Sequence, residues 1–299
     1  MRRNLFRILC FLYLLNLLYF TTACRNPAQP HLTIGSKFFT EQVILAELLA
    51  QHIEATTHIP VDRKTNLGGT LLVHKALLSG DLDLYVEYTG TALTAVLNES
   101  PGVDDSAAIY NRVKQQYSQR FNLDVTEPLG FENTFAMVIR GTDAQTLHLR
   151  TMSDLALIAP KWRAGVGYEF LERPDGYRGF IQRYGLHFAE TPSVMDLGLI
   201  YRALVDKKVD IVAGNSTDGL IDSLHLVALE DDKHYFPPYD AVPIVRHAAL
   251  EKFPQLRAAL ADLHNKLTAA DMRHLNAQVD ADQRDVAAVV RAFRAAKNL

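Results

Sequence analysis

Short apolar runs alternate with helix-length stretches along this chain, and that alternation confines the fold more than any other feature. The pattern predicts strands at His31–Gly35, Val61–Lys64, Leu82–Glu87, Thr134–Arg140, Ala164–Gly167, Ile211–Gly214, Val227–Leu229 and Val242–Arg246. It predicts helices between them at Glu41–Glu54, Leu71–Ser79, Ala107–Phe121, Met152–Ala159, Asp175–Tyr184 and Asp196–Lys207, with a further set from Ala248 onward. Strand–helix alternation of this kind builds a parallel sheet covered by helices, an α/β fold. Ser153-Asp154, Asp175 and Thr217-Asp218 supply the side chains expected to cap helices.

Two turns match in context. Gly80-Asp-Leu-Asp83 and Lys207-Lys-Val-Asp210 each follow a helix and lead into a short apolar strand. They read as equivalent points in two similar lobes. With 299 residues the chain is long enough for two such cores. Leu256, Leu260, Leu263 and Leu267 recur at helical spacing, which predicts helices in the tail 248–299.

The first residues are of another kind. Arg2, Arg3 and Arg7 precede an apolar run, Ile8–Phe20, broken only by Asn16, and Thr21-Thr-Ala-Cys24 follows. This is the pattern of an export signal over residues 1–23; an uncleaved anchor helix is the alternative. Cys24 resembles the lipidated cysteine of a bacterial lipobox, although Thr21 stands where such signals usually carry Leu. Plain secretion with a free thiol is the other reading. Residues 24–30 form a polar, proline-bearing tether. The only other cysteine, Cys10, lies in the signal, so no disulfide is expected in the exported part. Removing residues 1–23 takes away three arginines and no acid, and the formal charge moves from −3 to −6. That balance argues against a nucleic-acid partner.

Three segments sit where predicted strands end: Gly35-Ser-Lys-Phe-Phe-Thr-Glu-Gln42, Asn66-Leu-Gly-Gly-Thr70 and Glu87-Tyr-Thr-Gly-Thr91. The first lies at a strand-to-helix junction, where bare N–H groups attract anions and Lys37 adds a full charge. Tyr168-Glu-Phe-Leu-Glu-Arg-Pro-Asp-Gly-Tyr177, Ser216-Thr-Asp-Gly219 and Phe236-Pro-Pro-Tyr239 follow in order. Together these resemble the substrate-binding proteins of osmoprotectant ABC transporters, the quaternary-amine-binding family that takes glycine betaine, choline and carnitine. The resemblance implies a two-lobed periplasmic-binding-protein fold of type II. Lobe one would be residues 31–137 with 242–299, and lobe two 138–241. The segments 135–140 and 241–246 would be the hinge strands, with a ligand cleft between the lobes.

A quaternary ammonium has no N–H to donate, so aromatic faces must hold it, while its carboxylate calls for cationic donors and hydroxyls. The resemblance carries these roles to Lys37, Tyr88, Thr91, Asn133, Phe135, Arg173, Asn215 and Tyr239. Five of them have a plainer reading. Lys37 could be a surface lysine, Tyr88 a half-buried strand-end aromatic and Thr91 a helix cap. Arg173 could pair with Glu169 or Asp175, and Tyr239 could be a turn aromatic stacked on its prolines. Two positions depart from the family: Phe135 replaces a usual Tyr and Asn215 replaces another. An amide has no π face, so one cage wall is missing or another ring, such as Tyr168, Tyr201 or Trp162, replaces it.

Other motifs are bland. Gly165-Val-Gly167 lacks the third glycine of a dinucleotide fingerprint. Gly214-Asn-Ser216 does not complete a nucleophile elbow. Asp231-Asp-Lys-His234 reads as a solvated turn, and the histidines have no metal-ligand spacing. No cofactor, metal or enzyme activity is expected. The resemblance implies an extracytoplasmic lipoprotein, periplasmic or at the cell surface, that hands a small zwitterionic or cationic solute to a permease and its ATPase. The alternatives are a binding protein for another zwitterion, amino-acid-like or histidine-betaine-like, a sensory lipoprotein without a transporter, and an exported enzyme on the same scaffold.

Overall fold

A computed structural model describes residues 30–100, 102 and 105–299. The export segment 1–23 and Cys24, with the tether except Pro30, lie outside the described residues. The strands are β1 (Leu32–Gly35), β2 (Val61–Lys64), β3 (Leu84–Tyr88), β4 (Leu123–Val125), β5 (Phe135–Arg140), β6 (Ala164–Val166), β7 (Ser193–Val194), β8 (Ile211–Asn215), β9 (Leu226–Ala228) and β10 (Ala241–Arg246). They form two five-stranded sheets of one pattern, β2-β1-β3-β10-β4 and β7-β6-β8-β5-β9. The chain is α/β, as the alternation predicts, and two-lobed, as the matched turns and the family resemblance predict.

The sheets are mixed rather than parallel. β10 runs antiparallel to β3 and β4, and β5 runs antiparallel to β8 and β9. Each of these two strands arrives from the other sheet, so it enters at the end where its neighbours finish. β4 and β7, with three and two residues, escaped the sequence pattern because they are too short to show a period. The crossovers that feed β5 and β10 touch through one bridge, Glu132 with Asp240.

The two matched turns are equivalent in detail. Asp83 accepts from the Thr33 amide at 2.9 Å and returns its own amide to Thr33 O at 2.8 Å. Asp210 does the same with Arg163, at 2.9 and 2.8 Å. Each aspartate ties the start of a central strand to the strand beside it.

Apolar clusters cover both faces of each sheet. The helix Thr40–Thr57 presents Ile44, Leu45, Leu48, Leu49 and Ile53 to one face of the first sheet, beneath residues of the C-terminal helices. It ends at His58, whose φ of 59° takes the left-handed conformation. Val113 and Tyr117 of the helix Ser106–Phe121 pack on the opposite face with Val73 and Leu77. Leu256, Leu260, Leu263 and Leu267 are all buried on the first face, against the helix Thr40–Thr57, but one helix does not hold them. It stops at Ala261, and the amides of Asn265 and Leu267 bond back to Pro128 and Leu129.

The predicted helix Asp175–Tyr184 is present as Tyr177–Tyr184, and a short helix that was not predicted, Tyr168–Glu172, precedes it. Pro174 forces Arg173 into an extended conformation (φ −69°, ψ 148°), which ends the short helix. The predicted caps at Asp175 and Thr217-Asp218 are not formed, because those side chains are engaged elsewhere (below). At Ser153-Asp154, Thr151 is the N-cap and Asp154 closes its capping box. The turn at Asp231 is not merely solvated: its carboxylate accepts from the Tyr184 hydroxyl and from the amides of Tyr235 and Phe236. Among the described residues no helix is long and apolar enough to cross a membrane.

Candidate functional site

The strand register places the site. Tyr88, the last residue of β3, pairs with Ala241, the first of β10. Asn215, the last of β8, pairs with Phe135, the first of β5. Carboxyl ends of the central strands of both sheets therefore meet where the crossovers begin. There a cavity of about 30 Å³ is lined by Lys37, Phe39, Tyr88, Thr91, Asn133, Phe135, Arg173, Asn215 and Tyr239. All eight sequence-derived candidates converge on it. A wider groove of about 910 Å³ runs past Glu132, Thr134 and residues 228–238. It is an open surface channel that meets neither Lys37 nor Arg173.

The two cations are buried and already paired. Lys37, 1% exposed, is not a surface lysine. Its ammonium meets Glu87 Oε1 at 2.5 Å, donates to Thr70 Oγ1 at 3.3 Å and stands 4.9 Å from the Tyr88 ring centroid. Arg173 grips Asp175 through Nε at 2.9 Å and Nη2 at 2.5 Å, so the ion pair with Asp175 is present. Glu169 instead accepts from the Thr70 amide at 2.6 Å, across the two sheets. The guanidinium lies 4.9 Å from the Phe135 centroid and 5.9 Å from that of Tyr239. Burial works against the charges of Arg173 and Asp175, yet their mutual attraction prevails. Arg173 is held above its usual range and Asp175 below the usual carboxylate range, helped by the Tyr239 hydroxyl at 2.5 Å. An ammonium has three donors and a guanidinium five. Each cation therefore keeps a donor for a further partner.

The rings form most of a cage. Phe39 stacks beside Tyr88 at 6.5 Å with 21° between planes, and Phe135 meets Tyr239 edge-on at 6.1 Å. Tyr239 is buried rather than a loose turn aromatic. Gly90 permits this packing, since a Cβ there would lie 2.7 Å from both the Pro238 carbonyl oxygen and the Tyr239 ring. Thr91 is buried inside the helical turn Thr89–Thr91 and, although it precedes the segment Ala92–Val96, its side chain makes no capping bond. None of Tyr168, Tyr201 and Trp162 lines the cavity. Tyr168 is 65% exposed, and the Tyr201 hydroxyl is spent on Asp218 at 2.5 Å. The further ring is Phe39, which sequence reasoning missed although it lies inside the Ser36-Lys-Phe-Phe-Thr40 segment.

Sequence reasoning also missed Glu41, the residue that ties the site together. Its Oε1 accepts from the Tyr88 hydroxyl at 2.6 Å and from Asn133 Nδ2 at 2.9 Å. Its Oε2 accepts from the Thr217 hydroxyl at 2.5 Å and from Asn276 Nδ2 at 3.0 Å. Burial raises its carboxyl above the ordinary value, and the four donors oppose that rise. Asp218 plays a similar part beneath Asn215, accepting from its amide N at 2.9 Å and from Nδ2 at 3.3 Å. Burial pushes Asp218 up to about 6, against hydrogen bonds from Tyr201 and Asn215. Burial pushes the Tyr88 phenol up as well, so it remains a donor.

The chain is similar to several known proteins. Residues 30–296 match the family model described as the substrate binding domain of ABC-type glycine betaine transport system. The chain is 34% identical to a carnitine transport binding protein of Listeria monocytogenes, over 92% of this chain and 91% of that one. It is 36% identical to an ergothioneine transport permease/ergothioneine binding protein of Helicobacter pylori, over 83% of this chain and 44% of that one. A crystal structure of a glycine betaine/carnitine/choline ABC transporter superposes with a TM-score of 0.75 at 33% identity. The match covers 89% of this chain and 98% of the other.

Proposed function

This chain belongs to the family of substrate-binding domains of ABC-type glycine betaine transport systems, and we propose that it captures a quaternary-ammonium zwitterion between its lobes and delivers it to an importer. The supporting observation is the convergence of four rings and two buried cations on one cavity at the strand ends of both sheets. Phe39, Tyr88, Phe135 and Tyr239 hold the cation, at about 0.5–2 kcal/mol per ring. Lys37 and Arg173 use their remaining donors, with Thr91, on the carboxylate. Asn133 and Asn215 face the ligand between these groups.

Lobe one is residues 31–137 with 242–299 and lobe two is 138–241, hinged at 135–140 and 241–246. Closure brings Glu41 against Thr217 and the Thr70 amide against Glu169. The closed protein is read by a membrane permease whose partner ATPase drives uptake. The protein itself performs no chemical step. It works outside the cytoplasm, with residues 1–23 removed and Cys24 lipidated. Intact mass of the mature protein should show a diacylated Cys24 start; retention of Met1 rules that out.

Calorimetric titration with glycine betaine, choline and carnitine tests the reading, with Tyr88→Ala as the control. Saturable binding that Tyr88→Ala weakens is the expected result. Failure of all three to bind removes the simple quaternary amines. A second reading then stands, a histidine-betaine-like zwitterion. It is favoured by Asn215, an amide where the family resemblance leads one to expect a ring, and by the similarity to an ergothioneine binding protein.

A further inference from the structure

The two amides at the cavity are each fixed from behind. Asn133 gives its Nδ2 to Glu41 Oε1 at 2.9 Å, and Asn215 gives its Nδ2 to both oxygens of Asp218, at 3.4 and 3.3 Å. An ionised carboxylate only accepts, so it selects the NH₂ end of each amide and turns the carbonyl end away. Asn133 Oδ1 is buried and has no hydrogen-bond partner. Among the described residues it is the one buried, unpartnered side-chain atom that belongs to the lining of this cavity. Asn133 is itself only 6% exposed. The two amides flank the same ring: Asn133 precedes Phe135 by two residues, and Asn215 is the strand partner of Phe135. Phe135 has no hydroxyl to satisfy either oxygen. Lys37 and Arg173 pair with Glu87 and Asp175 and keep their remaining donors for the ligand carboxylate.

We propose that Asn133 and Asn215 determine specificity, presenting two carbonyl oxygens that select a quaternary-ammonium zwitterion carrying an O–H or N–H donor over one that carries none. This rests on the quaternary-ammonium reading of the cavity given above. A donor-free betaine would leave the buried Asn133 oxygen unpartnered and would cover the Asn215 oxygen as well, and a desolvated unpaired acceptor is costly. Methyl C–H contacts to those oxygens are weak compensation. A hydroxyl or ring N–H restores the missing bond. Sites built to accept such a bond reject the analogue that lacks it far better than apolar pockets tell methylenes apart. Glu41 and Asp218 act through the amides, as positioning residues.

The test is calorimetry on the mature chain with two matched pairs. Carnitine is compared with its deoxy analogue γ-butyrobetaine, and histidine trimethylbetaine with phenylalanine trimethylbetaine. In at least one pair the donor-bearing member should bind about tenfold or more tightly. Asn215→Leu and Asn133→Leu should each shrink that ratio severalfold, by weakening the donor-bearing member and by relieving the unpaired acceptor that penalises the donor-free one. Asp218→Asn, which frees the Asn215 amide to flip, should shrink the ratio without touching ligand. Should Asn133→Leu not fold beside buried Glu41, the half-buried Asn215 carries the test. Equal binding within both pairs overturns the inference and leaves the quaternary-ammonium reading standing. So does a ratio that survives in Asn215→Leu. Absence of saturation by all four compounds overturns that reading, and this inference with it.

Discussion

Buried carboxylates decide which side chains face the cavity. Glu41 organises Tyr88, Asn133, Thr217 and Asn276; Asp175 organises Arg173 and Tyr239; Asp218 organises Tyr201 and Asn215. Gly214 belongs to the last group, because a Cβ there would collide with the Tyr201 hydroxyl on its way to Asp218. Holding such groups ionised carries a pH signature. The folded-state value for Asp218 is raised from 3.8 to about 6, so the folded protein binds more protons than the unfolded chain between those values. The associated stability is present in full below the unfolded value and is lost as pH rises through about 6. Asp218→Asn removes this dependence. Unfolding free energies of wild type and variant, measured from about pH 4 to about pH 7, should diverge against the wild type by up to about 3 kcal/mol. Parallel curves would mean that Asp218 stays solvated enough to ionise normally.

Among the elements, the turn after β3 is the most exacting. Thr89–Thr91 must bring Gly90 under the Pro238 carbonyl and the Tyr239 ring. Gly90→Ala should push Tyr239 out of the cage, at about 1–3 kcal/mol of stability, as for other overpacked sites, with a clear loss of ligand affinity. Unchanged binding and melting temperature would show that the crossover yields without disturbing the cage. The sequence revealed this turn because Glu87-Tyr-Thr-Gly-Thr91 is contiguous and follows an apolar strand. The same holds for the residues of the other strand ends, whose side chains and backbone positions are set locally. Glu41 was not readable in that way. Its partners lie 47, 92, 176 and 235 residues away, and nothing local marks an acidic residue in a helix's first turn as more than a dipole partner. The antiparallel course of β5 and β10 was hidden for a related reason. Strand direction depends on which sheet the chain has just left, and apolar pattern records only that a strand is present. The helix break at Pro174 could have been read from the proline itself, and with it the extended backbone of Arg173.

In the whole molecule, the closed arrangement has consequences for ligand entry and for folding. The cavity, at about 30 Å³, has room for little more than a water, so a betaine must enter through an opened cleft. The radius of gyration by solution scattering should fall when a saturating ligand is added, and superimposable curves would count against hinged capture. The strand order has a different consequence for synthesis and export. The sheet built from β5 to β9 is drawn from one uninterrupted stretch, residues 135–228, whereas the sheet of β1 to β4 lacks β10 until residue 246 and its covering C-terminal helices until residue 297. A chain emerging from its amino end thus offers a long unfinished half first, and a self-sufficient half second. Nascent chains arrested near residue 240 should show protease-resistant packing over 135–228 while the earlier residues stay digestible. The half that emerges first is then the last to close, and the leading end stays threadable through a translocation channel until nearly the whole polypeptide has passed.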